Sequence, residues 1–311
     1  MTLHSKRNTG LTGGRNPFKN DRVQPVLMLL PMMLGFCLFS YVPIVYILRY
    51  CLYQSNGITS KFIGVDNFVR LFVRDKAFWD AMLNTLILSA GKLVIEIPLA
   101  LFLATLLNRG IKGLGFYRVT LFLPAITSTA IVGLVFSLMF ASFDGIINNM
   151  LQSAGFISRP INWMGNKWTA LSMLGIASIW NFFPINMIFF LMALQSIPKE
   201  LYECASIDGV NPFQRFFKIT LPMIGPITQV VILMAIVGSL KVSDLVLAST
   251  NGAPGGKTEV IMTYVFKYFF GYSGRTIEVG YASAMSLVTG VFLAFVSLLY
   301  MRISKRMSSI Y

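Results

Sequence analysis

Four charged side chains sit in or at the ends of long apolar stretches and are the first candidates for chemistry. Lys92 and Glu96 are four residues apart, and Lys241 and Asp244 are three apart. At helical spacing each pair shares one face. An ionisable group among apolar neighbours is costly enough to indicate either a function or a partner. Lys92 and Glu96 read as a mutually neutralising clamp between helices or as a contact to a solute. Lys241 and Asp244 read equally as an ion pair and as part of a gate or solute site. Other chemistries lack their groups. The single histidine, His4, lies in a polar tail, and Cys37, Cys51 and Cys204 have neither metal-ligand nor disulfide spacing. A Gly-x-x-x-x-Gly-Lys-Ser/Thr phosphate loop occurs nowhere in the chain. Imidazole catalysis, a metal centre, a bound cofactor and nucleotide hydrolysis are therefore not expected of it.

The internal segment Gln195 to Pro222, QSIPKELYECASIDGVNPFQRFFKITLP, is richer than a connector needs to be. Ser196 is placed to cap a helix begun by Pro198 and Glu200, and Gly209 can take the left-handed conformation that ends it. Asn211-Pro212 can start a second short helix in the same way. Two short helices around a tight turn make either a knob for a soluble partner or an interfacial anchor.

The elements that must position these groups are long and apolar. Of 311 residues, 55% are apolar and only 12% charged, about half the charge share of a soluble domain. Six stretches are long enough to cross a bilayer as helices: Val23 to Leu48, Ala81 to Asn108, Val119 to Phe143, Trp168 to Pro198, Ile219 to Leu240 and Val279 to Met301. Their length and lack of alternation exclude a barrel, and backbone in hydrocarbon must satisfy its own hydrogen bonds, so each is expected to be a helix. The expectation is an all-α polytopic membrane protein. Residues 25–305 form the six-span domain, carrying the loop 196–222, between tails at 1–24 and 306–311. The net charge of +14 is explained by topology and not by nucleic acid. Fourteen Lys and Arg fall in the two tails and the loops after the second and fourth spans, against ten in the other loops. The richer side belongs in the cytoplasm, which puts both termini inside. The first stretch is too long for a signal core, lacks a small-x-small site after it, and is expected to stay as an anchor. Residues 49–80 are expected to be an amphipathic piece at the outer interface or a plain loop. Asn251 to Gly256 is a turn, and the aromatic run Tyr264 to Phe270 re-enters or lines the outer face. No internal repeat supports an inverted-repeat transporter.

Glu203-Cys204-Ala205, then Asp208-Gly209, then Ile219-Thr220-Leu221-Pro222 resembles the E-A-A…G…I-x-L-P loop of binding-protein-dependent ABC importer permeases. Order, spacing and position before the fifth span agree, with Cys204 in place of an alanine. Leu123-Pro124-Ala125, the run Ser196 to Glu203 and the run Asn251 to Glu259 are similar to the sugar-type branch with six spans per subunit. The resemblance, which runs from the first span to the last, implies a type I importer fold in a bacterial cell membrane. It also implies that Glu203, Cys204, Ala205, Asp208, Gly209, Leu221 and Pro222 form an elbow seated on an ATPase. The partners it implies are a second permease subunit in a heterodimer, two cytoplasmic ATPases that bind MgATP, an extracytoplasmic binding protein and a sugar or oligosaccharide. In such permeases the middle spans hold the sugar, which makes Trp180, Asn181, Asn186, Ser243 and Asp244 the candidates here, although Trp or Asn at helical spacing also serves to bridge helices. The alternative is an ion-coupled secondary transporter using Glu96 or Asp244, which leaves the elbow without a purpose.

Overall fold

The computed structural model describes residues 23–109 and 112–308; the basic residues from Lys6 to Arg22, His4 and the last three residues lie outside the described residues. The chain divides into two units at residues 49 and 50. The first unit contributes α1, Val23–Phe36 continued through a π-helical turn at Cys37–Tyr41 into Val42–Tyr50. With a mean hydropathy of 2.0 over its best window it is long enough to span.

In the second unit, residues 50–80 form neither a plain loop nor one amphipathic helix. A two-stranded antiparallel hairpin, β1 (Tyr53–Ser55) with β2 (Ser60–Phe62), leads into α2 (Asp66–Val69) and a π-helical turn to Arg74. The hairpin seats on the start of the last helix at Gly280, where a Cβ would lie 1.8 Å from the Tyr53 carbonyl oxygen, so only glycine fits. Asp75 then caps α3 (Lys76–Leu107) by accepting from the Phe78 N–H at 3.0 Å. At 32 residues and about 1.5 Å per residue, α3 is roughly 48 Å long, more than a bilayer core requires.

The third apolar stretch is not one helix. α4 (Leu114–Ile126) and α5 (Thr129–Met139) are bent by 93° across Thr127 and Ser128. Pro124 weakens the last turn of α4, and both break residues adopt extended ψ values near 130°. α6 (Ile146–Ser153) follows, and α7 (Lys167–Gln195) is an unbroken 29-residue helix despite Pro184. α7 packs along α3, and their small and aliphatic side chains form the densest part of the core.

The fifth stretch is also broken. α8 (Lys199–Ile207) and α9 (Pro212–Met223) precede a 72° bend at Ile224, beyond which α10 (Gly225–Leu240) runs as the span proper. Pro226 lacks an N–H, which suits the first turn of a new helix. A second interruption at Lys241 to Ser243 gives α11 (Asp244–Ser249). α11 crosses α5 at Gly133, whose Cβ, if it had one, would stand 2.8 Å from the Leu245 carbonyl oxygen and 3.0 Å from the Ala248 methyl.

The turn expected at residues 251–256 has positive φ at Asn251, Gly252, Gly255 and Gly256. It is held from two sides. Asn84 of α3 donates to the carbonyls of Lys257 and Glu259, both at 2.9 Å, and buried Lys267 pairs with Glu259 at 2.7 Å. The aromatic run is the helix α12 (Ile261–Phe270); Tyr264 and Tyr268 are buried on it. Burial, with hydrogen bonding that includes donation from the Tyr264 hydroxyl to Asp75 at 2.8 Å, raises the Tyr264 pKa above the usual phenol range. The last helix, α13 (Val279–Ser308), extends past the boundary expected at residue 305. By length and composition four helices can cross a bilayer, and the count rises to six where each of the two bent pairs is one span.

Candidate coupling elbow and intramembrane polar groups

The elbow is preformed. α8 begins after Pro198, which supplies no side-chain cap, and Ser196 instead folds back to donate to the Ala193 carbonyl at the end of α7. The expected Ser196 cap is therefore not made: with Pro198 at the N-cap, helix entry is set by that ring's fixed φ. At the other end the expectation holds. Gly209 has φ +70°, its N–H bonds the Ser206 carbonyl at 3.3 Å, and the Val210 N–H bonds the Ala205 carbonyl at 3.0 Å. This is the paired closure of a helix on a left-handed glycine. Asn211 caps α9 reciprocally with Gln214, and Pro212 occupies its first position.

Exposure divides the elbow residues. Ala205 is buried, so its methyl lets α8 lie against the body, whereas Glu203, Cys204, Asp208 and Gly209 face out. Tyr202 ties the elbow to the bent fifth span, its hydroxyl 3.1 Å from Thr220 Oγ1. Leu221 and Pro222 are half-buried and precede the bend instead of forming it; the turning point is Ile224, which is fully buried. Sequence reasoning passed over a further feature. Ile207 is 86% exposed, Phe213 73% and Phe217 48%, and the two phenyl rings lie 4.6 Å apart, tilted by 48°. The signal was present as Phe213 and Phe217 at i and i+4 on a short polar helix.

Inside the spans Lys92, Glu96, Asn181 and Asn186 each meet a partner. Lys92 Nζ lies 3.3 Å from Glu96 Oε2, both side chains nearly inaccessible, and Lys92 also stands 4.1 Å from the Phe182 ring centre. Asn186 donates to the other carboxylate oxygen of Glu96 at 2.6 Å. Through the Glu96–Asn186 hydrogen bond this pair on α3 is joined to α7. Asn181 is buried and donates to the carbonyls of Pro124 at 2.7 Å and Thr127 at 3.4 Å. Those acceptors stand at the break between α4 and α5, where helical partners run out. Of the solute candidates, Asn181 and Asn186 each link two helices through these hydrogen bonds. Trp180 is 41% exposed beside Phe136, and Asp244 is exposed, accepting from Ser243 Oγ at 2.9 Å. Among the described residues no ion pair joins Lys241 to Asp244, because the helix ends between them and the shared face is lost.

The family model of binding-protein-dependent transport system inner membrane components matches residues 96–309, which include the whole elbow. The chain belongs to that family. This permease is 31% identical to the arabinooligosaccharides transport system permease protein AraP of Bacillus subtilis, over 94% of this chain and 92% of that protein. It is 34% identical to the lactose transport system permease protein LacF of Rhizobium radiobacter, over 88% and 91% of the two chains. In three dimensions it is similar to a chain of a bacterial alginate ABC transporter solved with an alginate pentasaccharide-bound periplasmic protein. That likeness has a TM-score of 0.81 at 25% identity, covering 94% of this chain and 97% of the other. Membership of a binding-protein-dependent transport family sets the ion-coupled alternative aside.

Proposed function

We propose that this permease imports a sugar or oligosaccharide, as one half of a heterodimer with a second permease. Both termini lie in the cytoplasm, and an extracytoplasmic binding protein delivers the solute to the opposite face. Two separate ATPase subunits bind MgATP, and their closure is transmitted through the elbow. The observation that carries this reading is the elbow itself. Its outward face offers Glu203 and Asp208 as carboxylates beside the exposed apolar group of Ile207, Phe213 and Phe217, which suits a groove of a soluble partner. Its inward face is pinned by Ala205 and by Tyr202 to Thr220, so a push on α8 reaches α9 and the 72° bend without an intervening flexible link. The sugar class rests on the relatives named above. Trp180, Ser243 and Asp244 are the solute contacts, an aromatic face and polar oxygens suited to a sugar ring and its hydroxyls. Asn181 and Asn186 act on the solute path through the helices they hold.

The test is co-purification and ATP-driven uptake with the partner permease, the ATPase and the binding protein. The native complex retains the ATPase and imports labelled oligosaccharide on ATP addition. Glu203→Ala and Gly209→Pro lose the ATPase or its stimulation by binding protein while the two membrane subunits stay assembled. Uptake that follows a proton or sodium gradient with no ATPase bound sinks the proposal.

A further inference from the structure

A cavity adjoins the elbow. It encloses about 350 Å³ between the ends of α3 and α7 and the elbow helices, and its polar lining is Thr105, Asn108, Arg109, Tyr202, Arg215 and Thr220. Ile207, Phe213 and Phe217 take no part in it. Its two cations, Arg109 and Arg215, have no carboxylate partner among the described residues. Arg215 is half-buried, with its guanidinium 5.4 Å from the Tyr202 ring centre. An arginine pair beside hydroxyl and amide donors, with no acid to neutralise it, fits an oxyanion, and the planar guanidinium fork matches phosphate geometry. The cavity lies where α3 ends at Leu107 and α7 at Gln195, and the end of a membrane-crossing helix is where headgroups are met.

We propose that this cavity binds a phosphate group, held between Arg109 and Arg215, with Tyr202, Thr220 and Asn108 as additional polar contacts. Its position places an anionic lipid headgroup there, and a soluble phosphorylated compound would offer the same chemistry. Because Tyr202 and Thr220 already join the elbow to the bent span, an occupant bridging Arg109 at the end of α3 to Arg215 on α9 stiffens that same joint. The placement at the cytoplasmic leaflet rests on the orientation proposed above; the binding itself does not.

The experiment uses the full chain, purified in detergent with its partner permease and exchanged into nanodiscs. The readout is bound phospholipid by native mass spectrometry, together with thermal stability in phosphatidylglycerol discs against phosphatidylcholine discs. The native protein retains phosphatidylglycerol selectively. Arg109→Gln with Arg215→Gln weakens retention roughly 30-fold, since each interfacial cation contributes about tenfold or less. The Arg109→Lys with Arg215→Lys variant keeps the charge and recovers part of the retention, which separates ligand loss from misfolding. Stabilisation by millimolar inorganic phosphate that is lost in the glutamine variant, without lipid retention, supports the site and assigns it to a soluble phosphate. Equal retention by native and glutamine variants, with no response to phosphate, overturns the proposal. Neither readout needs an ATPase, so the result stands apart from the failure or success of the importer reading.

Discussion

The middle of α3 and α7 and the tip of the elbow invert the usual distribution of residue types in opposite ways. Lys92, Glu96, Asn181 and Asn186 are polar groups buried where apolar ones are expected, and Ile207, Phe213 and Phe217 are apolar groups exposed where polar ones are expected. The first set is satisfied from within the chain, by an ion pair and by amide hydrogen bonds. The second stays exposed among the described residues. Buried polarity here specifies how the spans fit together, whereas exposed apolarity marks what the chain must still bind.

The contrast breaks most readily at the ion pair. Lys92→Ala leaves the Glu96 carboxylate buried beside only Asn186, and a loss of about 3–5 kcal/mol is expected. The double change Lys92→Met with Glu96→Gln removes both charges and costs much less, about 1 kcal/mol or below. Thermal melting of the purified membrane subunits distinguishes these, and equal losses would mean the pair is not a unit. On the exposed side, Phe213→Ala with Phe217→Ala weakens ATPase retention by about 2 kcal/mol, roughly 30-fold, while the melting temperature of the membrane subunits stays put. A drop in melting temperature instead would make the ring pair part of the body and erase the contrast. Asn181→Leu removes the side-chain donor from the Pro124 and Thr127 carbonyls, of which Pro124 keeps the Thr127 N–H, and a loss of about 1–2 kcal/mol follows in the same melt. Gly209→Ala is the smallest. Open space surrounds the missing methyl, so the cost is the left-handed φ of +70° alone, about 1 kcal/mol, read as increased hydrogen exchange at the elbow.

Much of the scaffold was legible because long uncharged stretches obey a length rule that bilayers enforce. The stop of α8 at Gly209 and the start of α9 at Asn211-Pro212 were legible for a local reason: each depends on side chains within four residues. The breaks were not. Nothing between Val119 and Phe143 marks Thr127-Ser128 as a right-angle turn, since the donor that makes it tolerable, Asn181, stands more than fifty residues away. Glu96 and Asn186, separated by 90 positions, concealed their hydrogen bond in the same way. Ser196 was misassigned because two signals compete there, and the rigid ring of Pro198 decides the helix start before any hydroxyl can.

The crossing at Gly133 has a mechanical meaning. Side chains between two helices ordinarily act as a compliant layer that lets one element slide or rock a little before the other responds. At Gly133 that layer is missing, because the backbone of α5 meets the Leu245 carbonyl and the Ala248 methyl of α11 directly. The far halves of two interrupted spans are thereby geared together without backlash. A rotation entering through either break must be carried by both segments at once, and a Gly133→Ala methyl would act as grit between the teeth.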